Sequence, residues 1–398
     1  MIPKIDLQVG ISVYSTKFNG IGGKIRCKPE DFIVTERISE NTLKKITEKE
    51  GYAVYKLKKM KIDTNHALSD IFKKKGIRLK ALGLKDAHAI TEQYVCSINQ
   101  GKLPDEFSTE KYSLHKIGHI KKPLTKKDMI GNHFRIKITE CENRLSEFNN
   151  YDKILNFYGY QRFGSKRPIT HLIGKAILKK KFKEAVELLV SFTSPYDSKE
   201  NIEIREKLRD KTNYKQYLNQ VPYQMDIERI VLQEIIEHED YQKALRAIPL
   251  SVRRFYIQAY QAYIFNCSIS SAFSYGEDLF KSNHGDVCFD DKGILGKFIV
   301  GLEQKLAFPI VGFSYYKKTR FERYISNILS DEEILAKDFF IKEMQEVSNE
   351  GGFRQASIDC TCHTSLNNVT EFSLSRGSFA TILLREIMKP EDPISAGF

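Results

Sequence analysis

Tryptophan is absent from this 398-residue chain, and cysteine and proline are sparse, at seven and eleven. The cysteines, Cys27, Cys96, Cys141, Cys267, Cys288, Cys360 and Cys362, are odd in number and scattered. With no secretory signal at the N-terminus, reduced thiols in a cytoplasmic protein, rather than a disulfide framework, are expected. Cys360-Thr361-Cys362-His363 is the one local cluster of metal-binding types. Structural zinc wants a C-x-x-C type spacing and a second pair elsewhere; neither is present, and no metal is expected. No run approaches the ~18–20 apolar residues of a membrane span. Repeats and low-complexity tracts are also missing. What remains is a foldable composition, 41% hydrophobic and 29% charged, with 20 Tyr and 25 Phe supplying core and stacking surface.

The length suits two or three domains. Lys and Arg number 63 against 51 Asp and Glu, a formal charge of +12. The excess is uneven. Between Lys56 and Lys85 lie ten basic residues opposed only by Asp63 and Asp70, a surplus of eight in thirty residues. A polyanionic partner is the natural reading of that stretch, and a lysine-rich solvated face is the plain alternative.

Periodicity gives a coarse map. Two short strands, Lys24–Cys27 and Phe32–Thr35, flank a Pro-Glu-Asp turn. Tyr52–Leu57, Tyr94–Ile98 and Phe134–Ile138 read as strands. Thr64–Lys75 reads as a helix closed by three lysines and Gly76. Pro168–Phe192, Val252–Ser268 and Asp331–Val347 carry helical spacing. Strand signals return at Ser357–Cys362 and Glu371–Ile387. Mixed α/β, then mostly helix, then strand again suggests an inserted domain whose flanks rejoin to complete one sheet.

The segment Gly83-Leu84-Lys85-Asp86-Ala87-His88-Ala89-Ile90-Thr91-Glu92-Gln93 is the most informative. It is too polar for a core element, and loops on a rigid scaffold are where chemistry sits. It resembles the G-x-K-D-x-x-A-x-T-x-Q motif of the TruD family of RNA pseudouridine synthases. Further elements resemble that family in its order. They are Pro29-Glu30-Asp31-Phe32-Ile33-Val34-Thr35-Glu36, Gly131-Asn132-His133-Phe134, Asn156 to Gly164, the helix Arg254 to Asn266, and Arg376 to Thr381 with Leu384-Arg385-Glu386. Phe308 to Gly312 is a weaker match.

The resemblance implies a pseudouridine synthase fold of α/β (α+β) class. Its catalytic domain, residues 1–152 plus 346–398, would carry a mostly antiparallel mixed sheet. A largely helical α+β domain would be inserted at 153–345. It implies isomerisation of uridine to pseudouridine in tRNA, most often at position 13, with position 35 a target of other relatives. Asp86 would be the nucleophile and Arg26 its ion-pair partner, while Phe32, Asn132, Phe134 and Phe379 would line the pocket of a flipped-out nucleotide. The chemistry is consistent with that set. The reaction breaks N1–C1′ and forms C5–C1′ without redox change or net hydrolysis, so neither cofactor nor metal is required. A carboxylate can stabilise positive character at the sugar carbon, and a nearby cation keeps it ionised. An extrahelical uracil needs an aromatic face and an amide for its edge. The partner expected is tRNA, with no membrane, no obligate protein partner and a monomer favoured. A non-catalytic RNA-binding or chaperone protein on the same fold is the alternative. The histidines His66, His88 and His171 are left out of the site.

Overall fold

The computed structural model describes residues 1–398 except 48, 49, 86, 88, 101, 102, 361, 362, 366 and 367, with backbone alone at 363–365. The strands in chain order are β1 Phe32–Ile38, β2 Tyr52–Lys59, β3 Leu79–Ala81, β4 Ile90–Ser97, β5 Glu106–Ser108, β6 Tyr112–Ile120, β7 Met129–Lys137, β8 Lys153–Leu155, β9 Val287–Phe289, β10 Leu295–Lys297, β11 Lys305–Ile310, β12 Gly352–Gln355, β13 Ser357–Asp359, β14 His363–Ser365 and β15 Val369–Ser375. Among the described residues nine of them form one sheet, in the order β14-β15-β7-β1-β4-β2-β6-β5 with β3 on β4. Only β1 and β4 pair in parallel in that sheet. β15 reaches it from more than 230 residues downstream, pairing Phe372 with Phe134 and Leu374 with Asn132.

Alternation puts Phe32, Val34 and Glu36 of β1 on one face, opposite Ile136, Phe134 and Asn132 of β7. On the other side Val34 lies beside Thr91 of β4, and Thr91 beside Lys59 of β2. This face carries the pocket residues discussed below. The helix Thr64–Lys75 covers its β2 end, seating Ala67 and Ile71 on Tyr55, Leu57 and Val95. Asp63 caps that helix through the His66 N–H, and Gly76 stops it at φ +69°, so both ends follow the sequence signals.

Helices dominate from Thr170 to Asp331, where the longest, Leu250–Ser274, packs on Thr170–Leu178. One continuous apolar cluster joins these helices to β1, β7, β15 and the helix Ala380–Met388.

Four expectations differ from what is observed. Lys24–Cys27 is not a strand: Lys24 makes an isolated bridge to Thr139, and Arg26 at φ +59° breaks the extended run. Pro168–Phe192 is two helices, Thr170–Leu178 and Phe182–Ser191, parted at Lys180, φ +59°. Asp331–Val347 is not one helix. The helix Glu322–Asp331 ends before Glu333, φ +53°, and two short 3₁₀ stretches follow, burying Phe339, Met344 and Val347 at spacings that mimic a helix. Glu371–Ile387 is strand only to Ser375, and residues 380–388 form a helix. That helix is buried on every side, and an apolar run without polar alternation does not distinguish strand from buried helix.

Candidate active site

One cavity of about 290 Å³ gathers Arg26, Phe32, Asn132, Phe134 and Phe379. They come from the bend before β1, from β1 itself, from β7 and from the N-terminal end of the helix Ala380–Met388. Val34, Thr91, Leu84, Lys85 and Gln161 complete much of its lining. Asp86 lies outside the described residues, while Lys85, immediately before it, and Ala89 line the cavity.

Arg26 is half-buried, with its guanidinium 4.3 Å over the Phe32 ring and its Nη1 donating to Gly397 O at 2.9 Å. Phe32 meets Phe134 edge to face at 6.3 Å, and Phe134 stacks on Phe372 at 5.3 Å. These two rings are therefore core and pocket wall together. Phe379 is held from behind: Tyr158 contacts its ring at 6.1 Å, and Arg354 fixes the preceding turn through Gly377 O at 2.9 Å. A Cβ on Gly159 would lie 3.1 Å from the Phe379 Cβ and 2.8 Å from Thr381 Oγ1, so glycine lets this segment close against the cavity. Asn132 Oδ1 and Thr91 Oγ1 are buried and meet no hydrogen-bond partner among the described residues.

The loop that leads to Asp86 is pinned by buried polar side chains. Gln93 Nε2 donates to Gly83 O at 2.9 Å. Thr64 Oγ1 accepts from Lys85 N–H at 2.9 Å and lies 2.9 Å from Gln93 Oε1. Lys59, 1% exposed, donates its ammonium to Lys85 O at 3.1 Å and Ile62 O at 2.9 Å. Lys85 Nζ pairs with Glu36 Oε2 at 3.1 Å, and Glu36 Oε1 accepts from Tyr94 N–H at 3.1 Å. Burial pushes the Glu36 carboxyl above its ordinary range, while the Lys85 charge and these hydrogen bonds pull it back. Two of the ten basic residues between Lys56 and Lys85 thus serve the interior rather than a solvated face.

The chain matches the family model described as tRNA pseudouridine synthase D (TruD) over residues 8–387. The chain belongs to the TruD family. A curated relative from Methanosarcina mazei, named "Probable tRNA pseudouridine synthase D", is 30% identical, with 98% of each chain covered. Another of that name from Pyrococcus furiosus is 30% identical over 96% of this chain and 99% of its own. The crystal structure of the "Putative tRNA pseudouridine synthase D (TruD)" from Methanosarcina mazei superposes with a TM-score of 0.79 at 26% identity, covering 99% of both chains.

The TruD elements divide by place. Those around Phe32, Asn132 and Phe379 reach the cavity. Arg385 and Glu386 do not: they are fully buried, with Arg385 Nε on Asp6 Oδ2 at 2.6 Å and Glu386 accepting from the Ser15 and Thr16 N–H groups. Tyr160 OH donates to the other Asp6 oxygen at 2.5 Å. Gln261 and Asn266 bind main-chain carbonyls of Val311, Val9 and Tyr158 and are structural. Sequence reasoning missed the holding roles of Glu36 and Gln93, and the place of Thr91 in the cavity wall, although each stands inside a quoted element. It had no signal for Lys59, Thr64 or Arg354. Among the described residues no cluster of His, Cys, Asp and Glu could hold a metal, and no helix is long and apolar enough to cross a membrane.

Proposed function

We propose that this protein isomerises uridine to pseudouridine in tRNA, at position 13, with Asp86 as nucleophile and Arg26 as the cation that keeps it ionised. The observation that carries this reading is the convergence of Arg26, Phe32, Asn132, Phe134 and Phe379, from separate parts of the chain, on one cavity lined also by Lys85. Phe32 and Phe134 offer the flipped base an aromatic boundary, and Asn132 Oδ1, without a partner among the described residues, is an acceptor for a uracil N–H. Arg is a permanent cation, suited to a fixed ion pair with a carboxylate. The C5 hydrogen leaves as a proton and N1 gains one, so the isomerisation balances without a co-reactant. Residues 153–345 would form the inserted domain, with the RNA crossing the cavity between it and the outer segments.

The test is pseudouridine mapping of unfractionated tRNA after incubation with wild type and with Asp86→Ala, without added metal or cofactor. New pseudouridine at position 13 with wild type alone is the expected result. Tight tRNA binding without product from wild type would leave a non-catalytic RNA-binding protein instead. Product from Asp86→Ala would assign the chemistry to another residue.

A further inference from the structure

The segment from Asn156 to Gly164 buries Phe157, Tyr160 and Phe163 in the core, yet leaves Tyr158 and Arg162 half-buried. The Arg162 guanidinium lies between two rings, 5.0 Å from the Phe255 centroid and 5.5 Å from that of Tyr158. Among the described residues its Nη1 has one long contact, 3.4 Å to Gln258 Oε1, and its Nε is buried without a hydrogen-bond partner. On the same Tyr158 ring, 4.1 Å away, lies Arg354. The Arg354 donors are taken by Asn156 O and Oδ1, Phe157 O and Gly377 O.

No carboxylate among the described residues pairs with either arginine. Burial lowers the pKa of both, and for Arg354 the Arg162 charge is a further cause. Two partly desolvated cations sharing one ring are costly unless an anion joins them. A guanidinium plane held by aromatic faces presents its remaining N–H groups as a fork, the geometry that suits a phosphate. The position is next to the cavity. Gln161 lines it, and Arg354 lies 5.8 Å from the Phe379 ring that also lines it.

We propose that Arg162, backed by the charge of Arg354, binds a backbone phosphate of the RNA beside the nucleotide in the cavity. Tyr158 and Phe255 orient the guanidinium, and Arg354 raises the local potential while its own donors hold the Phe379 turn. This rests on the reading above that the cavity takes a nucleotide of tRNA.

The experiment is tRNA binding to the full chain over a potassium chloride series, for wild type, Arg162→Gln and Arg162→Lys, with thermal midpoints measured in parallel. For Arg162→Gln, binding about tenfold weaker at low salt is expected, with the slope of log K against log salt shallower by about 0.7–0.9, one phosphate contact. Arg162→Lys keeps the wild-type slope. An Arg162→Gln slope equal to wild type overturns the proposal, whatever happens to the midpoint. Should Arg162→Gln fail to fold, phenylglyoxal labelling of wild type read by mass spectrometry decides: tRNA protects Arg162 if the site is right, and equal labelling with and without tRNA overturns it. Pseudouridine formation by wild type is measured on the same tRNA. Its absence would remove the catalytic reading, while the slope still decides on Arg162.

Discussion

Thr91 is 1% exposed, yet its hydroxyl meets no partner among the described residues. An unpaired buried hydroxyl costs about 1–3 kcal/mol. A position that carries such a cost in the wall of a cavity is under a demand other than stability. Valine has the same shape without the hydroxyl. Thr91→Val is therefore expected to raise stability by about 1 kcal/mol, seen as a higher calorimetric midpoint, while turnover on tRNA falls roughly tenfold through loss of one hydrogen bond. Wild-type turnover in that variant would show that the hydroxyl serves no substrate.

At the scale of elements, legibility followed the strength of local punctuation. Thr64–Lys75 was readable to its ends because Asp63 and Gly76 act within their own turn. Residues 380–388 were not, because that helix is buried on every side, Arg385 and Glu386 included, and has no solvent face to mark it. The same divide runs through the site. Phe32, Asn132, Phe134 and Phe379 stand in motifs, and the cavity joins them. The support given by Lys59 and Thr64 depends on which strands become neighbours and on a helix folding over them, and no local pattern encodes that. His171, in the helix Thr170–Leu178, shows what such placement does to a side chain. It stacks on Tyr263 at 5.0 Å, and burial brings its pKa down from 6.5 to about 4. The folded state therefore binds its proton more weakly than the unfolded chain. Its contribution is complete above pH 6.5 and is lost as pH falls from there through about 4, up to about 3 kcal/mol in all. His171→Phe should lose that part of the acid sensitivity. Urea titrations of both proteins across pH 4–7 check it, and parallel pH profiles would refute the assignment.

For the whole molecule the decisive contacts join the two ends of the sequence. Asp6, Tyr160, Arg385 and Glu386 form one fully buried polar cluster, with Tyr14 stacked 4.0 Å from the Arg385 guanidinium. Removing the cation strands two carboxylates, so Arg385→Met should destabilise by about 3–5 kcal/mol in chemical denaturation. A shift under 1 kcal/mol would mean that the cluster contributes little. A second tie reaches the site itself. Gly397, at φ +96°, passes so close that an added Cβ would lie 2.2 Å from Ile25 O, and its own carbonyl accepts from Arg26. Gly397→Ala is expected to lower both the melting temperature and turnover, the latter in excess of the unfolded fraction, because Arg26 loses its seat. Turnover that tracks only the folded fraction would uncouple the two.

This closure sets a clock on synthesis. Phe379 and Gly397 leave the ribosome some 350 residues after Arg26 and Phe32. Until then the pocket lacks a wall and its cation lacks a support, so a nascent or prematurely ended chain should offer RNA a basic surface without a working centre.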